Sequence, residues 1–111
     1  IQARVTTNGV VTAHKAFASL RVGKVEVNAN GGDDHITNDT KKNEYLKGGN
    51  GNDRIFGSWV GGLISGGEGN DYLDGRQGND RIYGHGGFDV LEGGDGHDHL
   101  DGGDGGDVLY G

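Results

Sequence analysis

Between Gly66 and Gly111 an aspartate recurs every nine residues, at Asp71, Asp80, Asp89, Asp98 and Asp107. Each closes a glycine-rich hexapeptide, and two residues beyond each lies a large aliphatic side chain: Leu73, Ile82, Leu91, Leu100 and Leu109. The stretch reads GGEGNDYLD GRQGNDRIY GHGGFDVLE GGDGHDHLD GGDGGDVLY G, five consecutive units of the pattern G-G-x-G-x-D-x-U-x, with U aliphatic. One carboxylate beside a turn crowded with backbone carbonyls is oxygen-ligand chemistry. Calcium takes six to eight oxygen ligands, drawn from carboxylates and backbone carbonyls alike. The chain has no Cys, which excludes both a thiolate metal site and a disulfide framework.

The elements that must position these groups follow from the same nine residues. A Gly-Gly-x-Gly run suits a tight turn, because glycine takes positive φ without steric cost. The x-U-x piece alternates outward, inward, outward, as a very short strand does. One unit cannot bury its aliphatic residue alone; stacked units share a thin continuous core. A disordered glycine-rich linker would have no reason to keep an aliphatic residue at every ninth position.

The pattern resembles the nonapeptide of the RTX (repeats-in-toxin) family of calcium-binding secreted bacterial proteins. The resemblance implies an all-β fold, a right-handed parallel β-roll with two units per turn. It also implies Ca²⁺ held between loops stacked on one side, with ligands from units two apart. It further implies a secreted or cell-surface bacterial protein, a type I secretion route, and a chain that folds when it meets calcium outside the cell.

Weaker units extend the array towards the N-terminus. Residues 29–37 (ANGGDDHIT) place Asp34 at position six and Ile36 at position eight. Asn38 is an extra residue, expected to fall in a loop. Residues 39–47 carry Glu44 in the aspartate position and Leu46 in the inward slot. Residues 48–56 match fully through Asp53 and Ile55, whereas 57–65 keep Ile64 but carry Gly62 at position six. The unbroken run is then 66–74, 75–83, 84–92, 93–101 and 102–110, with Arg76 and His85 replacing the second glycine in their units.

If alternate units share a side, one side is an unbroken ladder of Asp34, Asp53, Asp71, Asp89 and Asp107. The other carries Glu44, Gly62, Asp80 and Asp98 and is broken over its first half. Four slots follow on the first side and one on the second, between Asp80 and Asp98, so about five calcium ions are expected. The ligand candidates are those seven aspartates and the loop carbonyls near Gly49, Gly51, Gly67, Gly69, Gly78, Gly87, Gly94, Gly96, Gly103 and Gly105.

Charge is unevenly placed. Residues 1–47 hold seven Lys/Arg against five Asp/Glu, and residues 48–111 hold three against twelve, within a net charge of −7. Such an acidic half repels nucleic acid and attracts cations. With 31% hydrophobic residues and 26 Gly in 111, a conventional globular core is not available. Residues 1–28 are expected to form a β cap. Ala3 to Thr6 and Val10 to Ala13 flank Thr7-Asn8-Gly9 as a hairpin, and further strands flank Gly23. The chain is expected to be a fragment of a larger protein.

Other groups draw blander expectations. Asp74, Glu92 and Asp101 at position nine should be solvated acids, and Asn52, Asn70 and Asn79 should favour the turn. Phe56, Trp59, Val60 and Leu63 should pack where the second side lacks a calcium ligand. The alternative is an adhesion patch, with weak membrane or glycan contact through Trp59. His35, His85, His97 and His99 follow the repeat rather than a zinc spacing. No nucleophile elbow or paired catalytic acid is present, so no enzyme and no small-molecule substrate are expected. An accessory module of a secreted hydrolase, protease or alginate epimerase is the other alternative.

Overall fold

The computed structural model describes residues 24–111 in full and, ahead of them, the backbone of three strands. Those three are β1 (Gln2–Thr6), β2 (Val11–Ala13) and β3 (Phe17–Arg21). The rest are β4 (Lys24–Asn28), β5 (His35–Asp39), β6 (Asn43–Lys47), β7 (Arg54–Phe56), β8 (Gly62–Glu68), β9 (Tyr72–Asp74), β10 (Arg81–Gly86), β11 (Val90–Glu92), β12 (His99–Asp101) and β13 (Val108–Tyr110). The strands alternate between two sheets. One runs β13-β11-β9-β7-β5-β1-β2 and the other β12-β10-β8-β6-β4-β3. Every pairing is parallel except β1 with β2 and β3 with β4. The chain is thus an all-β parallel β-roll, and consecutive repeat units occupy opposite sheets, as the two-units-per-turn expectation requires.

The aliphatic position fixes the register. Ile36, Ile55, Leu73, Leu91 and Leu109 are paired down one sheet. Val27, Leu46, Ile64, Ile82 and Leu100 are paired down the other. From Val27 to Leu91 these side chains are almost wholly buried, whereas Leu109 on the last rung is 45% exposed. Each fully buried Leu or Ile contributes about 1.5–3 kcal/mol relative to exposure. The molecule spans only 14 Å in its thinnest direction, room for one layer of side chains between the sheets.

The turns need their glycines for a specific reason. At Gly69 φ is +119°, and a Cβ there would collide with the Gly51 carbonyl of the loop beneath. Backbone-to-backbone stacking this close leaves no space for a side chain.

The N-terminal strands join this scheme. β1 and β2 form an antiparallel pair (Val5 opposite Val11), as do β3 and β4. The Thr7-Asn8-Gly9 turn expected between β1 and β2 lies outside the described residues. β4 also pairs in parallel with β6, placing Val27 over Leu46 and Val25 over Glu44. It has neither the glycines nor the aspartate of a repeat, yet it forms a rung.

Asn38 departs from its expectation. It sits within β5, not in a loop, and is fully buried. β5 runs on because Asn38 and Asp39 pair with Val5 and Thr6 of β1. Its buried amide is satisfied, donating to Glu44 Oε2 at 2.6 Å and accepting from the Thr40 hydroxyl at 2.7 Å. The ladder survives the insertion: the Asp34 N–H still reaches Asp53, now nineteen residues on.

Candidate metal centre

The position-six aspartates form two ladders along the roll. On the β5–β13 side Asp53 Oδ1 accepts the Asp34 N–H at 2.9 Å. Asp71, Asp89 and Asp107 accept the N–H groups of Asp53, Asp71 and Asp89 in turn, each at 2.8 Å. On the other side Asp80 accepts from Gly62 at 2.9 Å and Asp98 from Asp80 at 2.8 Å. One oxygen of each of these aspartates therefore ties its loop to the loop eighteen or nineteen residues earlier.

The second oxygen is different. Oδ2 of Asp53, Asp71, Asp80, Asp89 and Asp98 is buried and has no hydrogen-bond partner. It lies against the first glycine of its own unit. A Cβ at Gly48, Gly66, Gly75 or Gly84 would overlap the Oδ2 of Asp53, Asp71, Asp80 or Asp89. The first glycine is thus an empty space kept for a carboxylate oxygen. Burial, the main cause, pushes Asp53, Asp71 and Asp80 up to about 7 and raises Asp89. Hydrogen bonds from the backbone N–H groups oppose the shift, and neighbouring ladder carboxylates add to it.

Carbonyls complete the setting. Those of Gly49, Gly51, Gly69, Gly78 and Gly87 project along the stack towards Gly67, Gly69, Gly87, Gly96 and Gly105. Gly94 and Gly103 face the Arg76 and His85 carbonyls in the same way. No group of three or more His, Cys, Asp or Glu side chains converges among the described residues. A cation in these slots would have to draw on backbone oxygens as well as carboxylates, which suits a hard ion such as calcium. A carboxylate row with unsatisfied oxygens, cradled where a Cβ would intrude and bordered by carbonyls, fits that ion.

The RTX calcium-binding nonapeptide repeat (4 copies) matches this chain over residues 40–59, 63–91 and 83–111, more than half of its length. The chain belongs to this family. Its repeats are calcium-binding repeats, typically found in secreted bacterial proteins. No curated protein and no solved structure matches the chain.

The RTX roll also uses residues whose roles the sequence left open. Asn52, Asn70 and Asn79 do more than favour a turn. Their Oδ1 atoms accept the N–H groups of Asn70, Phe88 and His97, tying same-side loops together at 2.8–2.9 Å. Nor are the position-nine acids merely solvated. Asp74 and Asp101 accept the backbone N–H two residues on, and Glu92 Oε2 accepts the Tyr72 hydroxyl at 2.6 Å. That hydrogen bond, with burial, holds Tyr72 up at about 12.

The expected apolar plug on the second side is instead polar. Trp59 and Val60 remain 40% and 41% exposed. The Arg76 guanidinium lies 4.8 Å from the Trp59 ring centroid and binds Asp39 at 2.8 Å. What fills the interior there is Glu44, Asn38 and Ser58, all buried. His35, His85, His97 and His99 are exposed and scattered. His85 meets Ser65 Oγ at 2.9 Å, and His35 packs on the Phe56 ring.

Proposed function

We propose that this chain is a non-catalytic module of a larger secreted bacterial protein, and that calcium binding and folding are one event in it. The reading is carried by the row of buried, unpartnered Oδ2 atoms at Asp53, Asp71, Asp80, Asp89 and Asp98. An ionised carboxylate buried without a partner costs several kcal/mol, against a total stability of about 5–15 kcal/mol for a domain. A row of five is incompatible with a stable, fully ionised roll unless a cation compensates it.

In this reading residues 29–111 carry the repeats, and residues 1–28 are a lead-in whose β4 adds a rung to the stack. Asp34, Asp53, Asp71, Asp89 and Asp107 hold four ions between successive pairs, and Asp80 with Asp98 holds another, about five in all. Calcium supplies charge neutralisation and cross-links same-side loops. Extracellular modules of this kind bind at about 10⁻⁴–10⁻³ M, so the chain would remain unfolded at cytosolic calcium levels and fold after export.

The test is far-UV circular dichroism during Ca²⁺ titration of chelator-treated protein, with Mg²⁺ as control and calorimetry to count ions. A cooperative gain of β-signal for calcium alone is expected. An apo chain already folded at neutral pH and indifferent to calcium would refute the reading.

One observation favours a second role, as an adhesion module. Trp59 borders a surface cleft of about 410 Å³ that Arg76, Asp95 and Tyr110 also line. Binding of glycans or lipid vesicles by wild type, lost in Trp59→Ala with the calcium transition intact, would support it.

A further inference from the structure

We propose that the roll has one more calcium slot, between its fourth and sixth units, whose first carboxylate is Glu44 lent from the second unit. The inference rests on the calcium reading above and extends it to a ligand outside the repeat pattern.

The fourth unit, residues 57–65, has Gly62 where the aspartate belongs. Its first glycine, Gly57, nonetheless faces a carboxylate oxygen as the first glycines of the complete units do. That oxygen is Glu44 Oε1, which a Cβ at Gly57 would crowd. Glu44 is at position six of the second unit and is one methylene longer than aspartate. Its Cγ passes where a Cβ at Gly62 would be. Glycine at 62 therefore opens the path along which Glu44 reaches forward one same-side unit.

The fourth loop turns differently from the others, with its positive φ at Gly61 rather than at positions two and four, but it keeps two of their features. The Gly75 carbonyl oxygen lies 2.8 Å from a Cβ built at Gly57, matching Gly66 against Gly48 and Gly93 against Gly75. The Gly62 N–H donates to Asp80 Oδ1 at 2.9 Å, the ladder bond found at every complete rung. The carboxylate thus comes from another unit, and the Val60–Gly61 peptide is turned relative to its counterparts.

Glu44 is 3% exposed. Asn38 Nδ2 donates to its Oε2 at 2.6 Å and the Ser58 backbone N–H also acts on the carboxylate, while Oε1 is buried without a well-formed hydrogen bond. The charged groups acting on it are Asp80, across the slot, and Arg76, which is engaged by Asp39. Glu44 with Asp80 gives this slot two carboxylates, the number that balances one Ca²⁺.

Glu44→Gln keeps the shape and the Asn38 neighbourhood but removes the ligand charge. Calorimetric calcium counts on wild type and Glu44→Gln would be compared, alongside far-UV circular dichroism at saturating calcium. Terbium luminescence excited through Trp59, the single tryptophan and a residue of the fourth loop, reports this slot directly. The expected result is one ion fewer in the variant and loss of the Trp59-excited emission, with the calcium-loaded β-signal retained. An unchanged count and unchanged emission would overturn the proposal and leave Glu44 as a neutral acid held by Asn38. If the variant fails to regain β-signal, wild type decides. Trp59-excited terbium emission that excess calcium competes away supports the slot, and its absence despite calcium-induced folding overturns it. A wild type that takes up no calcium at all sinks the calcium reading itself, a distinguishable outcome.

Discussion

Asp71→Asn should move stability in opposite directions with and without calcium. Asp71 is at the middle of the longer ladder, 3% exposed, with Oδ1 bound to the Asp53 N–H and Oδ2 unpartnered. Burial raises its pKa from 3.8 to about 7. At about 1.36 kcal/mol per pKa unit, the ionised group costs the metal-free roll about 4 kcal/mol at neutral pH. Asparagine removes that charge and retains the Oδ1 acceptor, but its amide N–H₂ must find acceptors among carbonyls placed for a cation, and a donor left unpaired costs about 1–3 kcal/mol. The metal-free variant should therefore gain about 1–3 kcal/mol. With calcium, the variant lacks one carboxylate in both slots that Asp71 borders. The calcium midpoint should then rise about tenfold or more, as for loss of a charged ligand contact. Urea melts in chelator and calcium titrations followed by circular dichroism read the two effects. A variant destabilised in chelator, or one whose calcium midpoint equals that of wild type, would refute this account of the Oδ2 row.

Further outcomes follow from the same geometry. The folded-state pKa values of Asp53, Asp71 and Asp80 are raised, so their contribution to metal-free stability is full below about 3.8 and is lost as pH rises through about 7. Metal-free protein should accordingly gain β-signal when taken from pH 8 to pH 5, while its calcium affinity falls over the same range through proton competition. Gly66→Ala places a Cβ on Asp71 Oδ2 at a position without positive φ, so it should weaken calcium binding in calorimetry with a smaller effect on the calcium-loaded β-signal. Leu73→Ala empties a fully buried position between the sheets and should cost about 2–5 kcal/mol in urea melts of the calcium-loaded form.

The repeat made the architecture legible because its information is local and translational. Nine residues specify a turn and a strand, and the constant spacing of Leu73, Ile82 and Leu91 specifies where the next strand lands. The alternation of units between two sheets, and hence which aspartates share a side, followed from that spacing and the family resemblance together. β4 was less legible as a rung: Lys24–Asn28 has the alternation of a strand but no glycine loop or aspartate to mark it as part of the stack.

What the sequence by itself determined is the periodic part: parallel strands, an aliphatic core column, and a carboxylate at each sixth position. What only the tertiary structure decided are contacts that cross the stack between residues far apart in the chain. Asn38 reads as an insertion, and only its pairing with β1 makes it a buried strand residue that orients Glu44. Glu44 and Gly62 each read as a defect in its own unit. They fit one another because a side chain one methylene longer can enter the space that a missing Cβ leaves. Complementarity of that kind depends on which loops lie above one another, and the fold alone supplies it.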